Sequence, residues 1–347
     1  MPFRTLILAA IAALSFGAAG HAQPARQEGT WTIRDFRFRD GETLAEMKVH
    51  YITLGSPSNP AVLVLHGTGG TAEGMLGGGF GGALFGPGQP LDAATHYIVA
   101  PDAIGHGDSS KPSDGLHARF PHYDYADMVE VQHRLLAEHL GVRHLLMVTG
   151  NSMGGMETWL WGEAFPDFMD VLVPLASSPT QVAERNWTSR RLAIDIVKAD
   201  PDWKGGEYQT EPASLALAST YFGLMTSGGT RAIYAALPTW KAADDAVAAG
   251  LAQGGGGDAN DFIYQLEACR TFDPAPRLET IKARILAINA EDDERNPVEL
   301  GVLPAAMKRL KDGRYYIIPA SAQTRGHGTT GNARTWAAQL PGFLAAK

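Results

Sequence analysis

Apolar residues in this chain fall mostly into short unbroken runs, at 61–65, 97–100, 145–148 and 171–175, and each run is followed by a glycine-bearing turn. Runs of that length without a polar residue fit strands buried on both faces of a parallel sheet, with a helix after each strand. The opening differs. Positions 31–38 and 43–54 alternate between apolar and polar, and Asp40-Gly41 between them is a hairpin signal, so the chain begins with an antiparallel pair. Between the second and third runs, Tyr125, Met128, Val129, Leu135, Leu136 and Leu140 recur at helical spacing, and Gly141 supplies a stop. From 181 to 269 the strand pattern gives way to alanine-rich helical segments, broken at Pro201, Gly205-Gly206, Pro212, Gly228-Gly229, Pro238 and the glycines of 254–257. The apolar runs resume at 285–288 and 315–318. The predicted architecture is α/β: a mostly parallel sheet flanked by helices, built from 23–180 and 270–347, with a helical cap inserted at 181–269.

Composition changes this picture at the N-terminus. Residues 1–22 carry Arg4 as their only charge, an apolar stretch from Leu6 to about Phe16, and Gly20 and Ala22 at the −3 and −1 positions of a cleavage site. That is the pattern of a secretory signal peptide, which puts the mature N-terminus at Gln23 and the protein in a secreted or periplasmic location. No other apolar run approaches the length of a membrane span, so no membrane association is expected of the mature form. Without those residues the chain holds 28 basic and 37 acidic side chains, a net charge of −9, which argues against a nucleic-acid partner. A single cysteine, Cys269, rules out an intrachain disulfide, and its place in the apolar-periodic stretch 262–269 reads as a small buried residue. The glycines of 67–88 are not followed by Gly-Lys-Ser/Thr and are no phosphate loop.

The third apolar run leads directly into Gly150-Asn151-Ser152-Met153-Gly154. A buried strand that ends in G-x-S-x-G and runs into a helix forces the serine onto a tight turn, with its hydroxyl at a helix N-terminus. Acyl transfer through such a serine needs a base, an acid that orients the base, and N–H donors for the oxyanion, in the chain order Ser, Asp/Glu, His on a parallel sheet. Asp293, five residues past the run 285–288, and His327, after the last run, supply that order. Asp292 and Glu291 compete for the acid position, and the spacing to Pro297 favours Asp293. The expected oxyanion donors are the N–H of Met153 and, in the turn His66-Gly67-Thr68-Gly69, that of Thr68, with His66 a structural residue of the turn. The turn from Asp102 to Ser109 reads as packing and hydrogen bonding. Eleven histidines show neither HExxH nor a paired HxH with a carboxylate, so neither a catalytic metal nor any other cofactor is expected.

A longer series of motifs carries a resemblance. Phe120-Pro121, Asp127-Met128-Val129, Gln132, Leu140-Gly141, the serine motif extended to Gly155-Met156, Phe165-Pro166-Asp167, Ala199-Asp200-Pro201-Asp202-Trp203 and Asp258-Ala259-Asn260 together resemble the homoserine O-acetyltransferase family of α/β-hydrolases. The resemblance implies the α/β-hydrolase fold, a helical cap over the site, and Ser152, Asp293 and His327 as its triad. Three departures bear on activity. Gly-Asn precedes the serine where the family has Gly-Gly, His327-Gly328 replaces His-Asp, and the cap arginine that would hold a homoserine carboxylate falls on Ser219, with no arginine in 215–225. A secreted chain would also meet no acetyl-CoA. The reading that results is a serine hydrolase cleaving a small carboxylic ester, with water as acceptor; the alternative is an O-acyltransferase of the homoserine O-acetyltransferase type. Trp187, Trp203, Tyr221, Phe222 and Trp240 of the cap either line its pocket or pack its helices.

Overall fold

The computed structural model describes residues 25–345. The signal-peptide segment and the cleavage site before Gln23 lie outside the described residues. Eight strands, β1 (Arg26–Arg37), β2 (Thr43–Leu54), β3 (Ala61–Leu65), β4 (Tyr97–Pro101), β5 (Leu145–Asn151), β6 (Met169–Leu175), β7 (Arg284–Ala290) and β8 (Gly313–Ile318), form one sheet in the order β1-β2-β4-β3-β5-β6-β7-β8. β1 and β2 pair antiparallel across the Asp40-Gly41 turn, β2 also runs against β4, and the remaining neighbours are parallel.

The unbroken apolar runs are the central strands, and their side chains divide between two cores. Leu63 and Leu65 of β3 enter one core, Val62 and Val64 the other, as they must when a pleated strand is covered on both faces. The helices of the sheet domain are α1 (Ala72–Leu76), α2 (Tyr125–Arg134) and α3 (Met153–Ala164), and, after the cap, α9 (Val302–Met307) and α10 (Leu340–Ala345). α2 starts at a capping box, in which the Asp124 carboxylate accepts from Ala126 N and Asp127 N while Asp127 accepts from Asp124 N.

Among the described residues no strand falls between β6 and β7. That stretch holds α4 (Glu184–Lys198), α5 (Ser214–Met225), α6 (Thr230–Ala236), α7 (Trp240–Ala252) and α8 (Ala259–Glu267). α4 and α8 bury Ala193, Ile194, Val197, Ile263 and Leu266 in the main core, whereas α7 buries no residue. Cys269 is fully buried behind α8.

Candidate active site at the strand tips

Ser152 sits in the turn between β5 and α3 with φ +58° and ψ −110°, a strained conformation for a residue with a side chain. The close approach of neighbouring backbone explains the glycines on either side. A Cβ at Gly150 would lie 2.7 Å from Leu65 Cβ, and one at Gly154 would lie 2.6 Å from Leu65 C. The turn is pinned from both sides, Ser152 N donating to Leu175 O at 2.9 Å and Gly154 N to His66 O at 3.0 Å.

His327 approaches from the loop after β8. Its Nε2 is 2.7 Å from Ser152 Oγ and its Nδ1 is 2.9 Å from Asp293 Oδ2, and all three side chains are buried. The three acidic candidates of the β7 loop are thereby separated. Asp292 accepts from Thr324 Oγ1 at 2.6 Å and Glu291 from Ala320 N at 2.7 Å, so Asp293 alone of the three meets the histidine. Burial by itself would raise the Asp293 carboxyl, but His327, the amide of Asn296 and the N–H of Arg295 hold it below the usual carboxylate range. Asn296, which the sequence reading passed over, also donates to Ala176 O and so ties the acid loop to the end of β6.

The turn from His66 to Gly69 runs close to the serine: a Cβ at Gly67 would come within 3.4 Å of Ser152 Cβ. Thr68 follows it. Among the described residues neither Thr68 N nor Met153 N donates a hydrogen bond, which leaves both N–H groups free beside the serine. His66 accepts from Ala103 N on Nε2 and places Nδ1 against Gly67 O, and burial holds the ring neutral by pushing its pKa down. Asp102 accepts from Ala72 N, Asp108 N and His50 Nδ1 and so links the start of α1, its own turn and β2. Among the described residues no group of three or more His, Cys, Asp or Glu side chains is placed to hold a metal ion.

A hydrogen-bonded chain of serine, histidine and aspartate, ending a strand and opening a helix, is the arrangement by which a hydroxyl becomes a nucleophile. Residues 60–322 match the family described as alpha/beta hydrolase fold. The chain belongs to that family. A probable acyltransferase of Methanothermobacter thermautotrophicus is 30% identical over 79% of this chain and 85% of its own. A homoserine O-acetyltransferase of Haemophilus influenzae is 31% identical over 69% of this chain and 74% of its own. Among solved structures, an acetylester hydrolase from Corynebacterium glutamicum superposes with a TM-score of 0.79 at 20% identity, covering 92% of this chain and 96% of the other. Within the α/β-hydrolase family this chain is therefore homoserine O-acetyltransferase-like, on a fold shared with esterases.

The departures from the family pattern now have positions. Asn151 forms a hydrogen bond with Thr330 Oγ1, joining the serine turn to the histidine loop in a way glycine could not. Gly328 is exposed at the surface. Ser219 is half-buried in a cleft between α5 and α7, with Gly223, Gly250 and Gln253, and that cleft holds none of the three triad residues. Arg190 of α4, fully buried, and Arg295 of the acid loop, half-buried, both stand over the Phe222 ring. Of the five cap aromatics, Trp240 is 79% exposed, Trp203 donates to Asn260 Oδ1, Trp187 lies under Arg270, and Tyr221 and Phe222 pack partly buried against the core.

The cap also holds the site directly. In the link between α5 and α6, Thr226 O accepts from Arg295 Nε at 2.9 Å, Ser227 O accepts from His327 N at 2.6 Å and Gly229 N donates to Asp292 O at 3.0 Å. Gly228 and Gly229, both with positive φ, press against Asp292, Glu294, Arg325 and Gly326, where a Cβ at Gly229 would meet Gly326 N at 2.7 Å. The sequence marks this pair only as a helix break.

Proposed function

We propose that this protein is a serine acyltransferase that moves a short acyl group from an ester, through a covalent intermediate on Ser152, to a small alcohol. The observation that carries the reading is His327 bridging Ser152 Oγ and Asp293 Oδ2. Ser152 Oγ attacks the acyl carbonyl as its proton passes to His327 Nε2, and Asp293 holds the ring by accepting from Nδ1–H. The oxyanion is received by the free N–H groups of Met153 and Thr68. The leaving alcohol departs with the proton from His327. An incoming alcohol then gives its proton to the same nitrogen, attacks the acyl-serine and restores the hydroxyl.

The names of the sequence relatives, acyltransferases in both cases, support an alcohol as acceptor over the water expected from sequence. The burial of Ser152 and His327, 5% and 7% exposed, supports it too, since transfer requires an acyl-enzyme kept from solvent. Hydrolysis is the second reading, favoured by Gly328, which offers no side chain where the family pattern has an aspartate. We also propose export with cleavage after Ala22, which would make the donor an ester and not an acyl-CoA. An ester assay with rising homoserine or a simple alcohol tests the acceptor. O-acyl product that outruns free acid supports transfer, and free acid alone at every concentration establishes hydrolysis. Mass spectrometry of the exported protein tests the N-terminus at Gln23, against an intact Met1.

A further inference from the structure

Two consecutive carbonyls at the end of β6 hold the two ends of the Ser152-His327-Asp293 chain. Leu175 O accepts from Ser152 N at 2.9 Å, and Ala176 O accepts from the side-chain amide of Asn296 at 3.0 Å. The same amide nitrogen, Nδ2, donates to Asp293 Oδ2 at 3.0 Å. Asn296 is buried, and its backbone N–H closes a turn onto Asp293 O at 3.3 Å, which brings the side chain back against the carboxylate. The chain bends at Ala176, where φ is +47°, a left-handed value that a residue with a side chain seldom adopts. Ala176 N donates to Ile288 O of β7 at 2.9 Å and pins that bend to the sheet.

Both N–H groups of the Asn296 amide are thus in use, one for the sheet and one for the acid. The bond to the acid falls on a shared atom. Asp293 Oδ2 also accepts from His327 Nδ1 at 2.9 Å, while Oδ1 accepts from Arg295 N at 2.9 Å. A donor on the oxygen that faces the imidazole takes up part of its negative charge, so less of that charge is left to favour a protonated ring. The other charged groups of the loop are directed elsewhere. The Arg295 guanidinium donates to Thr226, Asp292 accepts from Thr324, Glu294 pairs with Arg185, Glu291 accepts from Ala320 N, and Arg325 is exposed. Asn296 is the side chain other than His327 that donates to Asp293.

We propose that Asn296 is a positioning residue of the triad: it fixes Asp293 to the strand end that holds Ser152, and by sharing Oδ2 with His327 it sets the pH below which the histidine ceases to act as base. The proposal rests on the acyl-transfer reading above.

Asn296→Leu and Asn296→Asp test this in the purified protein, assayed with p-nitrophenyl acetate from about pH 5 to about pH 9. Leucine fills the space without an N–H, and aspartate keeps the shape of asparagine while replacing its donors with a second carboxylate. Asn296→Leu is expected to lower kcat by roughly ten- to hundredfold, the range of a hydrogen bond to a charged group, with KM changed by less than about threefold. The acidic limb of its kcat/KM profile is expected to move up by about half to one pH unit. Asn296→Asp should move the limb further, because its added negative charge favours a protonated ring, and Asn296→Gln, which keeps an amide, should recover part of kcat. An acidic limb that stays in place in folded Asn296→Leu, whatever the loss of kcat or Tm, overturns the proposal. Should the variants fail to fold, the Asn296 side-chain amide of the unaltered, ¹⁵N-labelled protein reads the same contact: its resonance is expected to shift through the pH range of the acidic limb, and a resonance that does not move overturns the proposal. Either of these results leaves the acyl-transfer reading intact. Failure of p-nitrophenyl acetate to acylate Ser152 in the unaltered protein overturns that reading itself.

Discussion

The strand tips and the cap hold their residues by different means. At the tips, backbone does the positioning: Ser152 is fixed by the ends of β3 and β6 pressing on a turn that admits only glycine at Gly150 and Gly154. In the cap, side chains and hydrogen bonds take over, with Arg190 held by Asn186 and a ring face and the α5–α6 link held by hydrogen bonds from Arg295 and His327 and to Asp292 in the loops below. The first mode suits chemistry, which tolerates little displacement. The second suits selection of a substrate, because each cap contact can change without disturbing the sheet. The two regions meet at Thr226, Ser227 and Gly229, whose hydrogen bonds to Arg295, His327 and Asp292 tie the cap to the loops that carry the histidine and the acid.

If the tips carry the chemistry, the largest losses come from them. Ser152→Ala and His327→Ala are each expected to lower kcat by about 10⁴-fold or more, and the double variant to cost little beyond either, because the residues act as a unit. Asp293→Asn should approach that loss, about 10³- to 10⁴-fold, through the wrong histidine tautomer. Asp292→Asn, whose partner is Thr324, should stay within about tenfold. Steady-state kinetics on the five variants decides the ranking, and a heavier loss at Asp292 would move the acid by one residue.

The junction is expected to be next in size. Gly228 has φ +73°, and a Cβ there would stand 2.8 Å from Glu294 N and closer still to Asp292 O. Gly228→Ala should therefore destabilise the protein by about 2 kcal/mol or more and reduce kcat through misalignment of the acid loop. Thermal melts alongside kinetics check it. An unchanged kcat would separate cap from tips and break the coupling described above.

A smaller effect, on stability alone, is expected from Glu157 of α3. Burial pushes its carboxyl up to about 8, against a hydrogen bond from Gln132 that pulls it down. The native protein thus keeps a proton that the unfolded chain releases near its ordinary value of about 4.3. The group's contribution to stability is full below that pH and is lost as pH rises towards 8. Glu157→Gln keeps an acceptor for Gln132, and its Tm should gain on that of the parent protein by roughly 3 °C between pH 5 and pH 8.5. A parallel pH course of the two proteins would count against a protonated Glu157.

The same contrast explains what the sequence disclosed. The runs at 61–65, 145–148 and 171–175 are β3 and parts of β5 and β6, because burial on both faces leaves an unbroken apolar signature. The serine turn was legible because tight backbone demands glycine at fixed spacing. Asp293 could be preferred over Asp292 and Glu291 but not separated from them, since that distinction depends on Asn296 and on how the loop turns towards His327. The cap was legible only as helical. Arg190 and Arg295 lie 105 positions apart and look like ordinary polar residues along the chain; only the fold brings both over Phe222.

The central claim is that acyl groups pass through Ser152. Intact-protein and peptide mass spectrometry after brief exposure to p-nitrophenyl acetate, followed by acid quench, tests it most directly. One acetyl group per chain is expected on the peptide containing Ser152, absent in Ser152→Ala and lost again when an alcohol is added before the quench. An acetyl group on another residue, or turnover of the ester that survives Ser152→Ala, would contradict it.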